Sequence, residues 1–109
     1  MIQVLILIFS VATYAEEPTF VYEIGNSMIL FTKREQMVIN KSCGTSCLAY
    51  QKGKVADSFK VDSKDLVGGK NPSSVRCKKH LSGVVVIGRD DDENQQSFCL
   101  FPDGSYLKN

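Results

Sequence analysis

The sequence predicts a small α+β domain, in which an antiparallel β-sheet carries one short helix at about residues 72–81 and disulfides hold the two together. Three observations lead to this fold class. Residues 20–39 are rich in β-branched and aromatic residues, and residues 19–61 as a whole predict a β-meander. Helix-start and helix-stop signals bracket one stretch, residues 72–81. All four cysteines lie beyond residue 42, in a chain of a size that commonly depends on disulfides.

The first fifteen residues, MIQVLILIFSVATYA, have the layout of a secretory signal peptide. They hold no charged side chain, and Thr13 and Ala15 place small residues at the −3 and −1 positions of a cleavage site. A membrane anchor and a buried strand are the alternatives. A spanning helix needs about 20 apolar residues, which is more than this stretch contains, and strands rarely run so long without a turn residue. We therefore expect residues 1–15 to be removed and residues 16–109 to form one exported domain, periplasmic or secreted.

The length and charge of the chain limit its partners. A chain of 109 residues has room for one domain, and its formal net charge is +1. This balance gives no electrostatic reason to expect nucleic acid or an anionic membrane surface as a partner. After signal removal we expect no membrane insertion.

Residues 16–67 form the predicted β-rich half. Residues 27–32 and 36–39 flank Arg34-Glu35 and predict an antiparallel hairpin. Residues 47–50 and 55–56 flank Lys52-Gly53-Lys54 and predict a second hairpin. The alternation of Phe59-Lys60-Val61 predicts another short strand.

Residues 68–109 form the predicted helix-and-hairpin half. Asn71 is a good N-cap and Pro72 suits the first helical position, while Ser82-Gly83 supplies the stop. Next come a buried strand at residues 84–87, a loop at residues 90–94 and an antiparallel partner at residues 96–101. Pro102-Asp103-Gly104 is a strong turn signal, and residues 106–107 predict a short final strand.

Four cysteines allow three pairings, and spacing alone does not choose among them. We favour Cys43–Cys47, because Gly44 permits a tight bend, and Cys77–Cys99, because it would join the helix to the strand that returns after Asn94. A structural zinc site that uses Cys43, Cys47, Cys77 and His80 is the alternative. It leaves Cys99 unpaired in an oxidising compartment, so we expect disulfides and no metal.

The acidic run Asp90-Asp91-Asp92-Glu93-Asn94 alternates possible ligands as the start of an EF-hand loop does. However, Gln95 stands where that loop needs glycine, and no glutamate completes the twelve-residue pattern. A solvated hairpin loop explains the same residues. Separately, Asn40-Lys41-Ser42 matches the N-glycosylation acceptor motif.

Two segments carry the resemblance of this chain to a known family. The first is Gly68-Gly69-Lys70-Asn71-Pro72-Ser73-Ser74-Val75-Arg76-Cys77, and the second comprises Gln96-Ser97-Phe98-Cys99 and Phe101-Pro102-Asp103-Gly104-Ser105. Together they resemble the small exported bacterial domains of unknown function that often carry a hemolysin label. The match covers roughly residues 69–106, and residues 16–67 lie outside it. The family commonly continues past the Asp-Gly turn with an acidic, cysteine-containing segment, which this sequence lacks.

The sequence contains one histidine and no nucleophile motif, so we expect a non-enzymatic domain without a cofactor. The favoured function is binding of a protein or an envelope component, for example as an inhibitor of an extracellular hydrolase. Two rivals are a lytic or toxic protein, as the hemolysin label implies, and a structural envelope component. The candidate binding residues belong to two loops and comprise Asp90, Asp91, Asp92, Glu93, Asn94, Pro102, Asp103, Gly104 and Ser105.

Overall fold

The computed structural model of the protein describes residues 18–109. The expected signal peptide, residues 1–15, lies outside the described residues. Within them, six antiparallel strands close into a small barrel in the order β1-β2-β3-β6-β5-β4. The strands are β1 (Thr19–Ile24), β2 (Ser27–Arg34), β3 (Met37–Asn40), β4 (Val84–Arg89), β5 (Gln95–Leu100) and β6 (Tyr106–Lys108).

Four hairpins and two long-range pairings close this barrel. The hairpins pair sequence neighbours, namely β1–β2, β2–β3, β4–β5 and β5–β6. The turn between β2 and β3 places Glu35 and Gln36 at φ values of 51° and 71°, the left-handed geometry of a tight hairpin. Closure then depends on the pairing of Glu23 with Arg89, between β1 and β4, and on β3 meeting β6.

Aromatic side chains fill the inside of the barrel. Tyr22, Phe31 and Phe98 come from three different strands and are all buried. Their ring centroids lie 5.0–5.2 Å apart. Such contacts between aromatic rings add about 0.5–1.5 kcal/mol per pair beyond the area that they bury.

A second core lies outside the barrel wall, where two helices cover β3, β4, β5 and β6. The helices are α1 (Leu48–Val55) and α2 (Pro72–Lys79), with short 3-10 turns at Ala56–Ser58 and Ser63–Leu66 between them. Strand residues alternate between the two cores because successive side chains point to opposite faces. Thus Phe98 lies inside the barrel, whereas Cys99 packs under the helices.

The hairpin predicted across Lys52-Gly53-Lys54 is wrong, because these residues lie within α1. Packing against the sheet explains why Gly53 belongs in a helix. A Cβ at this position would overlap Sδ of Met37 and lie 3.2 Å from Cδ1 of Leu107. The glycine therefore allows α1 to approach the outer face of β3 and β6 closely.

The helix predicted at residues 72–81 is confirmed as α2, which ends at Lys79. The side chain of Asn71 accepts hydrogen bonds from the backbone N–H groups of Ser73 and Ser74, as an N-cap does. His80 forms the C-cap. Its ring stacks on that of Phe59, with centroids 5.1 Å apart.

Both favoured disulfides are present. Cys43 is bonded to Cys47 and Cys77 to Cys99, with Cα atoms 5.5 and 5.7 Å apart. These bonds use the three thiols that the zinc alternative requires. The second bond joins α2 to β5, where both cysteines are fully buried.

The α+β class is therefore confirmed, but an open sheet with a single helix is wrong. The sheet closes into a barrel, and a second helix, α1, lies within the half expected to be β-rich. The strand predicted at Phe59-Lys60-Val61 is also wrong, since this segment is irregular. The carbonyl of Phe59 accepts a hydrogen bond from Nε of Arg76 on α2 instead of from a neighbouring strand.

Candidate functional site

The acidic loop, residues 90–94, connects β4 to β5 as predicted. Its shape depends on Asp90, whose Oδ1 accepts the backbone N–H groups of Asp92 (3.0 Å) and Asn94 (2.9 Å). Oδ2 of Asp90 accepts a hydrogen bond from the side-chain amide of Gln96 (3.1 Å). Asp90 is thus a structural residue of the loop.

The hydrogen bonds around Asp90 also lower the pKa of its carboxyl group. The backbone N–H of Asn94 is the largest cause of a lowered pKa, and it outweighs the desolvation that would raise the pKa. The amide of Gln96 and the N–H of Asp92 act in the same direction. Asp90 consequently keeps its charge, and with it the loop conformation, in mildly acidic solution.

The three acidic side chains after Asp90 are exposed. Asp91, Asp92 and Glu93 make no hydrogen bond or ion pair with their side chains to any residue from 18 to 109. Glu93 adopts a φ of 63°, which turns the chain back toward β5. The loop therefore presents three adjacent carboxylates to solvent in one conformation.

An aromatic side chain lies beside these carboxylates. The start of β1, residues 19–22, and the acidic loop, residues 90–92, line a hollow of about 280 Å³. Phe20 in this wall is 36% exposed. Sequence reasoning missed Phe20, because only the pairing of β1 with β4 brings it to the loop.

The Asp-Gly turn, residues 102–105, connects β5 to β6 and caps α1. Oδ2 of Asp103 accepts the backbone N–H of Leu48 (2.8 Å), and Oγ of Ser105 accepts the backbone N–H of Ala49 (2.9 Å). The remaining carboxylate oxygen of Asp103 accepts the backbone N–H of Ser105 at 3.0 Å and its hydroxyl at 2.5 Å. The first turn of a helix has unpaired N–H groups, and this turn satisfies two of them.

These contacts lower the pKa of Asp103. Burial is the largest single influence and would raise the pKa, but the hydrogen bonds from Leu48 and Ser105 together outweigh it. Ser105 is almost fully buried, while Pro102, Asp103 and Gly104 are exposed. The carboxylate of Asp103 and the hydroxyl of Ser105 are nevertheless engaged in hydrogen bonds to α1, and Pro102 and Gly104 form the free tip of the turn.

The two loops singled out from the sequence do not form one surface. They lie at opposite ends of β5, which contains six residues. At a rise of about 3.3 Å per residue, the strand separates them by roughly 20 Å. A single small partner would contact one loop or the other.

The glycosylation motif places its acceptor inside the fold. Asn40 is 7% exposed, and its Nδ2 donates a hydrogen bond to Oγ of Ser42. Its Oδ1 accepts the backbone N–H of Tyr106 (2.9 Å), which connects β3 to the start of β6. Asn40 is therefore a structural residue in the folded protein.

Among residues 18–109, no three His, Cys, Asp or Glu side chains are arranged to hold a metal ion. In the calcium alternative, Asp90 would be the first ligand of the loop, and both of its carboxylate oxygens already accept protein hydrogen bonds.

No helix of the described part of the chain has the length and apolar character needed to cross a membrane.

Comparisons of the chain with models of protein families, with curated proteins and with solved structures return no match. The resemblance to the hemolysin-labelled domains consequently stays a prediction from the two sequence motifs. In this fold, Asn71 of the first motif caps α2, Asp103 of the second caps α1, and Cys77 and Cys99 join the two motifs.

Proposed function

We propose that the protein is a non-enzymatic exported binding module that presents the acidic loop to a basic surface of a partner protein or envelope component. One observation supports this most strongly. Asp90 holds the loop, and the carboxylates of Asp91, Asp92 and Glu93 remain exposed. A loop that is already ordered loses little conformational entropy on binding.

Inhibition of an extracellular hydrolase is one concrete form of this function. A hydrolase with a cationic rim around its cleft would be attracted by the three carboxylates, and Phe20 beside them offers an apolar contact. Charge attraction of this kind raises association rates and weakens with added salt. The two disulfides suit an oxidising compartment outside the cytoplasm.

The test is capture of crosslinked partners from periplasm or culture medium by mature protein, residues 16–109. Three baits are compared: the wild type, the variant Asp91→Asn/Asp92→Asn, and the control Asp57→Asn/Asp62→Asn. Both variants remove two exposed negative charges, but the control residues lie near the 3-10 turns. We expect the wild type and the control to retain one saturable partner that the loop variant loses.

Equal capture by all three baits would rule out the acidic loop as the binding surface. Co-sedimentation with envelope without a saturable partner would favour a structural envelope component instead. Leakage from liposomes treated with mature protein would favour the lytic alternative. Intact-mass analysis of exported material tests the export step, for which we expect a chain beginning at Glu16.

A further inference from the structure

A cleft of about 360 Å³ lies between the two helices, over the outer face of β3 and β6. Its floor is apolar and consists of Met37, Leu81 and Leu107, all largely buried. Gly53 of α1 lines one wall and Arg76 of α2 another. Elements that are distant in the sequence therefore form one pocket, which is separate from the acidic loop.

Arg76 is the half-buried cation in this cleft. Its side chain is 25% exposed, and its Nε donates a hydrogen bond to the carbonyl of Phe59 at 3.2 Å. The ring of Phe59 stacks in turn on His80 at the end of α2. The guanidinium is thus fixed in position by the segment that follows α1.

The terminal nitrogens of Arg76 make no hydrogen bond to residues 18–109. They lie close to Asp57, whose Oδ1 is 3.9 Å from one terminal nitrogen. The side chain of Asp57 is fully exposed, and exposed ion pairs of this kind contribute little. The guanidinium is therefore available to a better anion.

The guanidinium and the apolar floor of the cleft together favour one class of ligand. The planar fork of a guanidinium matches a carboxylate through two parallel hydrogen bonds. The cleft combines an apolar floor with three charged side chains in its lining, those of Arg76, Asp57 and Lys108. An apolar surface with a few polar groups is typical of sites for small molecules, and the volume lies at the lower end of their range. We infer that the cleft binds a small apolar carboxylic acid, with the carboxylate at Arg76 and the hydrocarbon on Met37, Leu81 and Leu107.

Asp57 gives this inference a distinctive consequence. Its carboxylate occupies the neighbourhood that the ligand's carboxylate would take, so it repels and competes with the ligand. Removing this charge should strengthen binding, whereas removing the charge of Arg76 should weaken it. A variant that merely perturbed folding would not strengthen binding.

The test is an NMR titration of ¹⁵N-labelled mature protein with octanoate and, as a neutral probe of the same shape, octanamide. We expect octanoate to produce saturable shifts of the amides of Gly53, Arg76 and Leu107. Octanamide should bind about tenfold more weakly, because it lacks the charge that strengthens a hydrogen bond to Arg76.

Three variants complete the design. Arg76→Gln should weaken octanoate binding by about tenfold, and Asp57→Asn should strengthen it severalfold. Lys78→Gln is the control, because Lys78 lies on the same helix but lines a different groove. It should leave the affinity for octanoate unchanged.

Several results would overturn the inference: no saturable shift with octanoate, equal affinity for octanoate and octanamide, or shifts confined to the groove around Val75 and Lys78. If Arg76→Gln fails to fold, the inference is still tested by the affinities of the wild type for octanoate and octanamide and by the effect of Asp57→Asn on octanoate binding. Weaker octanoate binding to Asp57→Asn would also contradict it.

Discussion

At the scale of single residues, Gly88 shows how tightly the barrel interior is packed. It lies on β4, and a Cβ at this position would be 2.8 Å from Cγ1 of Ile24, 2.8 Å from Cε2 of Phe98 and 2.9 Å from the carbonyl of Glu23. Real Cβ atoms do not approach other atoms so closely. A side chain at this position therefore forces β1 and β5 away from β4.

Gly88→Ala should accordingly lower the free energy of unfolding by about 2 kcal/mol, as overpacking of a core does. Gly44→Ala is the matched control, because a Cβ there meets no atom within 4 Å. The control should change stability by less than about 0.5 kcal/mol. Denaturant unfolding of both variants measures the difference, and equal stabilities would show that the interior is looser than described.

Asp103 is the second residue whose role can be measured. Its two oxygens accept three hydrogen bonds, from Leu48 and from the backbone and hydroxyl of Ser105. An asparagine has one acceptor oxygen and cannot serve both partners. Asp103→Asn should therefore cost about 1 kcal/mol at neutral pH, the usual value for a lost helix cap.

The effect of Asp103→Asn should also depend on pH. The folded-state pKa of Asp103 lies below its ordinary value of 3.8, so its contribution to stability is present above that value. The contribution is lost as the pH falls through the folded-state pKa. Denaturant unfolding of the wild type and the variant should thus differ at pH 6 and converge toward pH 2. A constant difference would contradict the capping role.

At the scale of elements, α1 shows where sequence reasoning fails. Its segment contains Tyr50 and Val55 around Lys52-Gly53-Lys54, which locally resembles two strands and a turn. The contacts that make it helical come from far along the chain, since Asp103 and Ser105 cap its first turn. A prediction from neighbouring residues in the sequence could not include these long-range contacts.

The helix α2 was predictable for the opposite reason. Asn71 and Pro72 lie directly before its first turn, and the cap hydrogen bonds of Asn71 span two and three residues. The acidic loop was predictable in the same way, because its acidic residues separate two apolar strands. The position of Phe20 beside the acidic loop and the cleft at Arg76 could not be predicted, because both depend on contacts between elements that are distant in the sequence.

The disulfides should differ in their contribution to the stability of these elements. Cys77–Cys99 closes a longer loop than Cys43–Cys47, with sequence separations of 22 and 4. α2 contains eight residues, and isolated helices shorter than about 12 residues are marginal in water. It therefore depends on its covalent and packing contacts with β5.

Replacing Cys77 and Cys99 together by Ala should cost about 3 kcal/mol, and replacing Cys43 and Cys47 about 2 kcal/mol or less. Denaturant unfolding of the two double variants tests this ranking. Non-reducing peptide mapping verifies the pairing in the wild type. A larger loss from the Cys43/Cys47 pair would mean that the loop before α1 is the more important constraint.

At the scale of the whole molecule, the two halves of the sequence form one barrel. Residues 18–67 supply β1, β2 and β3, and residues 68–109 supply β4, β5 and β6. Contacts between the halves include the pairing of β1 with β4 and the pairing of β3 with β6. They also include the hydrogen bond that the backbone N–H of Tyr106 donates to Oδ1 of Asn40. The Asp-Gly turn adds the cap of α1.

Barrel closure could not be predicted from the sequence. The β3–β6 pairing joins Ile39 to Leu107, and the β1–β4 pairing involves two residues on each strand. Neither contact has a local signal, whereas each hairpin has a turn. The sequence therefore predicts the β2–β3 and β4–β5 hairpins and the turn between β5 and β6, but not the fact that these strands meet edge to edge.

Native-state hydrogen exchange tests the central claim, a single barrel built from both halves, most directly. In mature protein, the protected strand amides of β2 and β3 and those of β5 and β6 should exchange with one common free energy, equal to that of global unfolding. Two separate values, with the amides of residues 19–40 opening independently of those of residues 84–108, would contradict barrel closure.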